Sequence, residues 1–415
     1  MSRPKVTLCM IVKDETHIIE ECLRSMAKYV DRYDITDTGS TDGTQDLIKK
    51  TMDELGVPGT VHQSDWKGFG PSRTESLRNA EKSDAEYAWM IDADDYITGN
   101  FKYPPNMKCD SYSLRLGRPE FMWWRNQIFK LGIGWEYTGV LHEYAHCPSK
   151  PKEEVILEKL HGDYFVVART EGNRNVGITP KEKYTRDAET LYSALNNSED
   201  PHYAPTNERY QFYLAQSYFD SQQFEKSFEA YEKRFNMGGW EEECFYSMFR
   251  MAMLAGMMEK PFGEVCELLR QCYEYRPIRA EPLVELSRLY RMNNRPRTAY
   301  LYAKAAAELT IPAQDILFVS EDCYNWRSLD EVSATAFFMF RFEEGYNATK
   351  KLLRENKMPA SEVERIKGNM VHYEGKMKEM KAQKAEWEKQ QKNSISNNKP
   401  TIKTKTYKKK KKKVH

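Results

Sequence analysis

A chain of 415 residues with 63 basic and 62 acidic side chains exceeds one small core and predicts two domains and a tail. Its net charge of +1 hides an asymmetry: residues 399–415 hold nine Lys and no acid, which leaves the preceding residues at −8. A mildly acidic body implies no large basic surface for nucleic acid. None of the eight Cys falls in a Cys-x-x-Cys pair, and several lie in apolar stretches, as reduced, buried thiols do. No run approaches the ~18 apolar residues of a spanning helix, and Met1–Lys5 leads straight into a strand rather than a signal peptide. The expectation is a soluble cytosolic protein.

In chain order, Val6–Val12 reads as a buried strand and Thr16–Tyr29 as an amphipathic helix with Ile18, Ile19, Cys22, Leu23 and Met26 inward. The polar Asp34-Ile35-Thr36 predicts a short or partly exposed second strand. Ser40 or Thr41 is placed to cap a helix from Thr44 to Gly56, which Pro58-Gly59 terminates. Thr60–Gln63 is a short strand, Ser72–Ala80 a helix, and Tyr87–Ile91 the next strand. This βαβαβαβ series predicts a mostly parallel sheet covered by helices. Residues 109–116, 127–130, 135–144 and 163–168 read as further strands.

After Thr179 the strand signals stop. Helical segments are expected at about 179–196, 206–219, 224–235, 240–257, 262–275, 280–291, 296–309 and 312–323, with two more before Lys376. Tyr213–Tyr218 with Phe224–Tyr231 has the small-residue and aromatic spacing of a tetratricopeptide unit, and Leu283–Tyr290 with Arg297–Ala305 repeats it degenerately. An ordinary α-helical domain is the alternative. From Met377 the chain becomes a charged helix, Lys378–Lys392, and then an Asn/Ser/Lys-rich tail that cannot bury a core. The Lys408–Lys413 run is read as a solvated tail, with RNA, anionic lipid or an import receptor as the other readings. The expected domains are residues 1–178, 179–376 and 377–415.

Two acidic clusters carry the chemistry: Asp37-Thr38-Gly39-Ser40-Thr41-Asp42-Gly43-Thr44 and Asp92-Ala93-Asp94-Asp95, each ending an extended segment. Carboxylates at the carboxyl ends of parallel strands face the ligand crevice of an open α/β sheet. The Asp92-x-Asp94 pair offers hard oxygen ligands for Mg²⁺ or Mn²⁺ bridging two phosphates. If 135–144 is one strand, alternation sends His142 and Glu143 to opposite faces, and a turn there would relieve the conflict.

Together with Lys13-Asp14-Glu15, Trp66, Phe69, Ser72-Arg73 and Val140-Leu141-His142-Glu143, these clusters resemble family 2 of the inverting nucleotide-sugar glycosyltransferases. The closer match is the subgroup with helical repeats behind the catalytic domain, and it covers residues 4 to 165 by motif. The resemblance implies a GT-A, Rossmann-like α/β domain followed by an all-α, tetratricopeptide-like array. It implies a nucleotide-sugar donor, most often a UDP-sugar, and a glycan, peptide or protein acceptor. Asp37 would accept from the base, Asp14 and Glu15 would line the same pocket, and Arg73 would pair with diphosphate or sugar hydroxyls. Asp94, with Asp92, would hold Mn²⁺ or Mg²⁺, Asp92 touching the ribose or the metal, and His142 is the candidate third ligand. Glu143 is the candidate base, with Asp95 its rival. Helix capping for Asp42 and a surface ion pair for Arg73 are the plainer readings. Thr74 stands where the family has Asn, which predicts altered sugar selectivity.

A sugar nucleotidyltransferase would need a Gly-rich loop where Lys13-Asp14-Glu15 stands. A helical-repeat adaptor with an inactive transferase domain is the second alternative, opposed by the intact Asp37, Asp92, Asp94 and Arg73.

Overall fold

The computed structural model describes residues 3–118, 121–169, 171–173 and 176–397. Strand β1 (Val6–Val12) is buried almost throughout, as a central parallel strand covered on both faces must be. β2 (Arg32–Asp37), β3 (Gly59–Gln63) and β4 (Tyr87–Met90) follow, joined by helices α1 (Ile19–Met26), α2 (Thr44–Glu54) and α3 (Phe69–Ala80). β1 pairs in parallel with β2 and β4, and β2 with β3.

Polar β2 is not the short or exposed strand its sequence predicts. Asp34 is 2% exposed and Thr36 fully buried, because each finds internal partners. Asp34 accepts from Thr7 Oγ1 and Arg32 and lies 3.0 Å from His62 Nε2, while Thr36 Oγ1 accepts from Asn79. A satisfied polar group can be buried at little net cost. Nor do Ser40 and Thr41 cap α2. Gly43 precedes it at φ +94, Asp42 accepts the Thr44 N–H, and Ser40 Oγ accepts the N–H of Asp14.

The remaining strands are β5 (Tyr96–Gly99), β6 (Ser111–Arg118), β7 (Phe121–Lys130), β8 (Glu136–Thr138), β9 (Tyr144–His146), β10 (Leu157–Lys159) and β11 (Tyr164–Val167). The main sheet runs β3-β2-β1-β4-β7-β6-β11-β5, with β10 beside β6. β7 is antiparallel to both β4 and β6, so one half of the sheet is parallel and the other mixed. The single strand expected over 135–144 is instead a hairpin of β8 and β9, with Thr138 opposite Tyr144. Gly139 at φ +120 and His142 at φ +52 bend the chain between them.

Helices begin at Pro180, where Thr179 and Glu182 form a capping box. They are α4 (Pro180–Asn196), α5 (Glu208–Asp220), α6 (Phe224–Met237), α7 (Glu241–Met257), α8 (Phe262–Tyr275), α9 (Glu281–Met292), α10 (Pro296–Glu308), α11 (Ser328–Thr335), α12 (Phe342–Glu355) and α13 (Val363–Asn397). The helix expected at 312–323 does not form over 312–320. There the N–H groups of Ile316 and Leu317 donate to Glu242, and Asp315 pairs with Arg276 and Arg279. Those amides are committed to a carboxylate, which competes with helical bonding.

The chain divides into two compact units, residues 1–282 with 311–321 and residues 283–310 with 322–415. In the first, α4 and α5 share an apolar cluster with Leu141, and Phe212, Tyr231 and Leu254 lead the next. In the second, Ala303, Val332 and Ala348 join α10, α11 and α12, and Gly345 admits the Tyr373 ring against α12 where a Cβ would collide. The charged helix expected at Lys378–Lys392 continues α13, and the Lys408–Lys413 run lies outside the described residues. Among the described residues no helix is long and apolar enough to cross a membrane, and no disulfide joins any of the eight Cys.

Candidate active site at the strand ends

β2 ends in Asp37, whose Oδ1 accepts the N–H groups of Gly39 and Ser40 at 2.9 and 2.8 Å. Its Oδ2 is buried and has no partner among the described residues. Buried carboxylate oxygens seldom stay unpaired, so this atom is a poised acceptor for a ligand N–H. The neighbouring Asp14, at φ +56, accepts the N–H of Thr41 and so ties the β1 loop to the β2 loop. Asp42 does similar work, accepting from Thr16 and Thr44, which supports its reading as a local cap.

β4 delivers Asp92, Asp94 and Asp95. Burial would raise the Asp92 carboxyl, but Arg73 and Arg125 outweigh it and hold the group well below the ordinary carboxylate range. Arg73, on α3, bonds Asp92 with one Nη and Glu143 with the other; Arg125, on β7, reaches Asp92 Oδ2 at 3.2 Å. Asp94 behaves oppositely. Burial and then the Asp92 charge push it up, against the N–H groups of Gly172 and Glu171 that its Oδ2 accepts. Asp95 is 3% exposed, is raised by burial and by Asp92, and accepts the Arg169 N–H. Burial also lifts Glu15 to about 7, opposed by the Asn173 N–H and reinforced by Asp94.

Arg73 therefore joins Asp92 and Glu143, so that three predicted residues form one ion-paired chain. Its side chain is 8% exposed and that of Glu143 6%, so Arg73 is a buried hub rather than a surface ion pair. Phe69 lies against the Arg73 guanidinium, and Trp66, 46% exposed, packs edge-on to Phe69 at 4.8 Å. α3 reaches the β8 turn because Gly70 has no Cβ: one would sit 3.0 Å from the Tyr137 carbonyl oxygen. Thr74 Oγ1 donates to the Gly70 carbonyl and accepts the Tyr137 N–H at 2.8 Å. Its hydroxyl is thus engaged with backbone, stitching α3 to β8.

The three-ligand set of Asp92, Asp94 and His142 is not assembled. Among the described residues no group of three His, Cys, Asp or Glu is placed to hold a metal ion. His142 instead stacks on Tyr213 of α5 at 3.9 Å and 7°, because the turn at 139–143 directs its ring to the helices. Sequence reasoning missed Arg125 and Arg169. Arg125 left a faint signal, a charge directly after the apolar run Phe121-Met122-Trp123-Trp124. Arg169 left none: its Nε donates to the Asp94 carbonyl at 2.6 Å from the far end of the sheet.

Residues 7–105 match the family model for glycosyl transferase family 2. A TPR repeat-containing protein of Synechococcus elongatus is 32% identical over 94 residues, which is 22% of this chain and 21% of that protein. The chain thus spans about a fifth of that relative's length. Among solved structures, S. aureus TarS 1–349 in complex with UDP is similar at a TM-score of 0.27 and 13% identity, over 60% of this chain and 88% of that one. The thermophilic TPR protein TTC0263 of Thermus thermophilus is similar at a TM-score of 0.31 and 12% identity, over 46% and 92%.

Proposed function

We propose, from the premise of a family 2 glycosyl transferase domain over residues 7–105, that the chain moves a sugar from a nucleoside-diphosphate donor, most simply a UDP-sugar, to an acceptor hydroxyl with inversion. The observation that carries the reading is the unpaired buried Oδ2 of Asp37 on the strand next to β1, whose other neighbour delivers Asp92 and Asp94. Asp37 Oδ2 accepts the imide N–H of the base. Glu15 lines the same pocket, and Asp14 holds the loop that shapes it. Arg73 exchanges part of its carboxylate pairing for the diphosphate, as a guanidinium fork readily does.

Asp92 and Asp94 fit a hard divalent cation as the protein's part of its oxygen shell. The raised Asp94, crowded by Asp92, is a like-charge arrangement that a cation relieves. Bound Mn²⁺ or Mg²⁺ would supply positive charge against the departing diphosphate. Glu143 takes the proton of the acceptor hydroxyl as that oxygen bonds to the anomeric carbon, and the bond to the diphosphate oxygen breaks on the opposite face. Arg73 pairs with the Glu143 carboxylate until then. Asp95 is the second candidate base, favoured by its raised carboxyl and disfavoured by its 3% exposure.

The helical region presents the acceptor, peptide, protein or glycan. A groove of about 740 Å³ between α4, α5 and α6, with Tyr192, Asn196, Gln223, Lys226 and Glu229 on its walls, supports this role. An adaptor with a silent transferase domain draws on one observation, the double Arg pairing of Asp92. A thermal-shift series with UDP-sugars, with and without Mn²⁺, separates the two, because a ligand of the native state raises its melting temperature. A Mn²⁺-dependent rise supports the transferase, and no rise with any donor supports the adaptor.

A further inference from the structure

The turn that carries Glu143 is gripped from outside the sheet domain. Val140 donates its N–H to Tyr210 Oη at 3.2 Å. Leu141 is 6% exposed and packs among Ala188, Leu191 and Leu195 of α4 and Leu214 of α5. The His142 carbonyl accepts from Arg209 Nε at 3.1 Å, its ring lies flat on Tyr213 at 3.9 Å, and the Arg209 guanidinium sits over the Tyr144 and Tyr213 rings at 4.9 Å each. Contacts from α4 and α5 thus follow the chain from Val140 to Tyr144.

The grip matters because the turn is strained. His142 is held at φ +52, a left-handed conformation that is costly for a non-glycine residue and persists only when its surroundings enforce it. The His142–Tyr213 stack and the Arg209 bond are the contacts placed to do so here. Glu143 follows directly, so the left-handed residue sets the direction in which the Glu143 carboxylate leaves the backbone toward Arg73.

We infer that α5 is a brace for the base: Arg209 and Tyr213 are positioning residues that hold His142 left-handed and so aim Glu143 at the reacting hydroxyl. The first helical hairpin is then part of the catalytic apparatus, in addition to presenting an acceptor. The inference rests on the Glu143 reading for its chemical consequence, while the brace itself stands on the contacts above.

The test uses the full chain in two readouts. Amide hydrogen exchange in the peptide covering 139–146 is compared for wild type, Tyr213→Leu, Tyr213→Phe and Arg209→Leu. Tyr213→Leu keeps an apolar side chain in the helix but removes the stack, whereas Tyr213→Phe preserves a flat ring. Exchange in that peptide should rise about tenfold in Tyr213→Leu and Arg209→Leu, the equivalent of ~1.4 kcal/mol of lost local protection, and return to the wild-type rate in Tyr213→Phe. Unchanged exchange in both Leu variants would overturn the brace. If Tyr213→Leu does not fold, Arg209→Leu carries the comparison alone. In parallel, hydrolysis of whichever UDP-sugar the wild type cleaves should lose kcat in Tyr213→Leu with UDP affinity unchanged, and Tyr213→Phe should recover it. Glu143→Gln separates the two ideas: full turnover in that variant removes the base assignment and leaves the brace to the exchange data. Loss of turnover in Glu143→Gln alongside wild-type kcat in Tyr213→Leu contradicts the inference itself.

Discussion

The proposed donor side of the site and its proposed acceptor side are built by different rules. Asp37, Asp92 and Asp94 stand just beyond or at the ends of buried parallel strands, so local sequence places them. Glu143 stands in a turn contacted by Arg73 from α3 and by Tyr210, Arg209 and Tyr213 from α5, up to seventy residues away. The first half is fixed by register within one sheet and the second by packing between elements. Substitutions on the donor side should therefore act locally, and those on the acceptor side should spread through whatever holds the turn.

The sharpest break of that contrast is chemical. Glu143→Gln should lower kcat about 10²–10⁴-fold, the usual share of a general base, while UDP binding, measured by calorimetry, stays at the wild-type value. Lost UDP binding would move Glu143 to the donor side. Leu141→Ala comes next, since that side chain is buried against α4 and α5. A loss of about 2–4 kcal/mol is expected in denaturant unfolding, and a loss below about 1 kcal/mol would mean the turn does not depend on those helices.

How much of this is legible in the sequence follows the same division. The strand-end carboxylates, the parallel half-sheet and the change to helices at Pro180 can be read from periodicity and turn residues, because each depends on neighbours in sequence. The hairpin at 136–146 cannot, since Tyr137 to Tyr144 alternates well enough to pass for one strand until Gly139 and His142 adopt positive φ. β2 misleads because Asp34 looks exposed until Thr7, Arg32 and His62 are known to surround it. Arg169 is invisible, its role arising only from the return of β11 beside β5.

A third test concerns the seam between the two sides. Thr74→Val removes the acceptor of the Tyr137 N–H, and an unpaired buried donor costs about 1–3 kcal/mol. Thermal unfolding should show that loss, and a preserved melting temperature with changed sugar preference would return Thr74 to the selectivity role its place in the motif implies. The smallest effect is on the donor side and depends on pH. Glu15 is lifted from 4.5 to about 7 in the fold, so its protonated form is favoured there: that contribution is whole below pH 4.5 and is lost as pH rises through about 7. Glu15→Gln should match wild type in acid and exceed it at alkaline pH by on the order of 1 kcal/mol once solvent screening is allowed for. Equal stability across the range would show that Glu15 is not burdened by its burial.

A metal-assisted transferase at the strand ends stands or falls on donor cleavage. The full chain is incubated with a panel of UDP-sugars in Mn²⁺ or in EDTA, beside Asp94→Asn, and released UDP is measured. Release is expected from at least one donor in Mn²⁺, none in EDTA, and a fall of about 10²–10³-fold in Asp94→Asn with an unchanged melting temperature. Release that is equal in EDTA and in Asp94→Asn would contradict it.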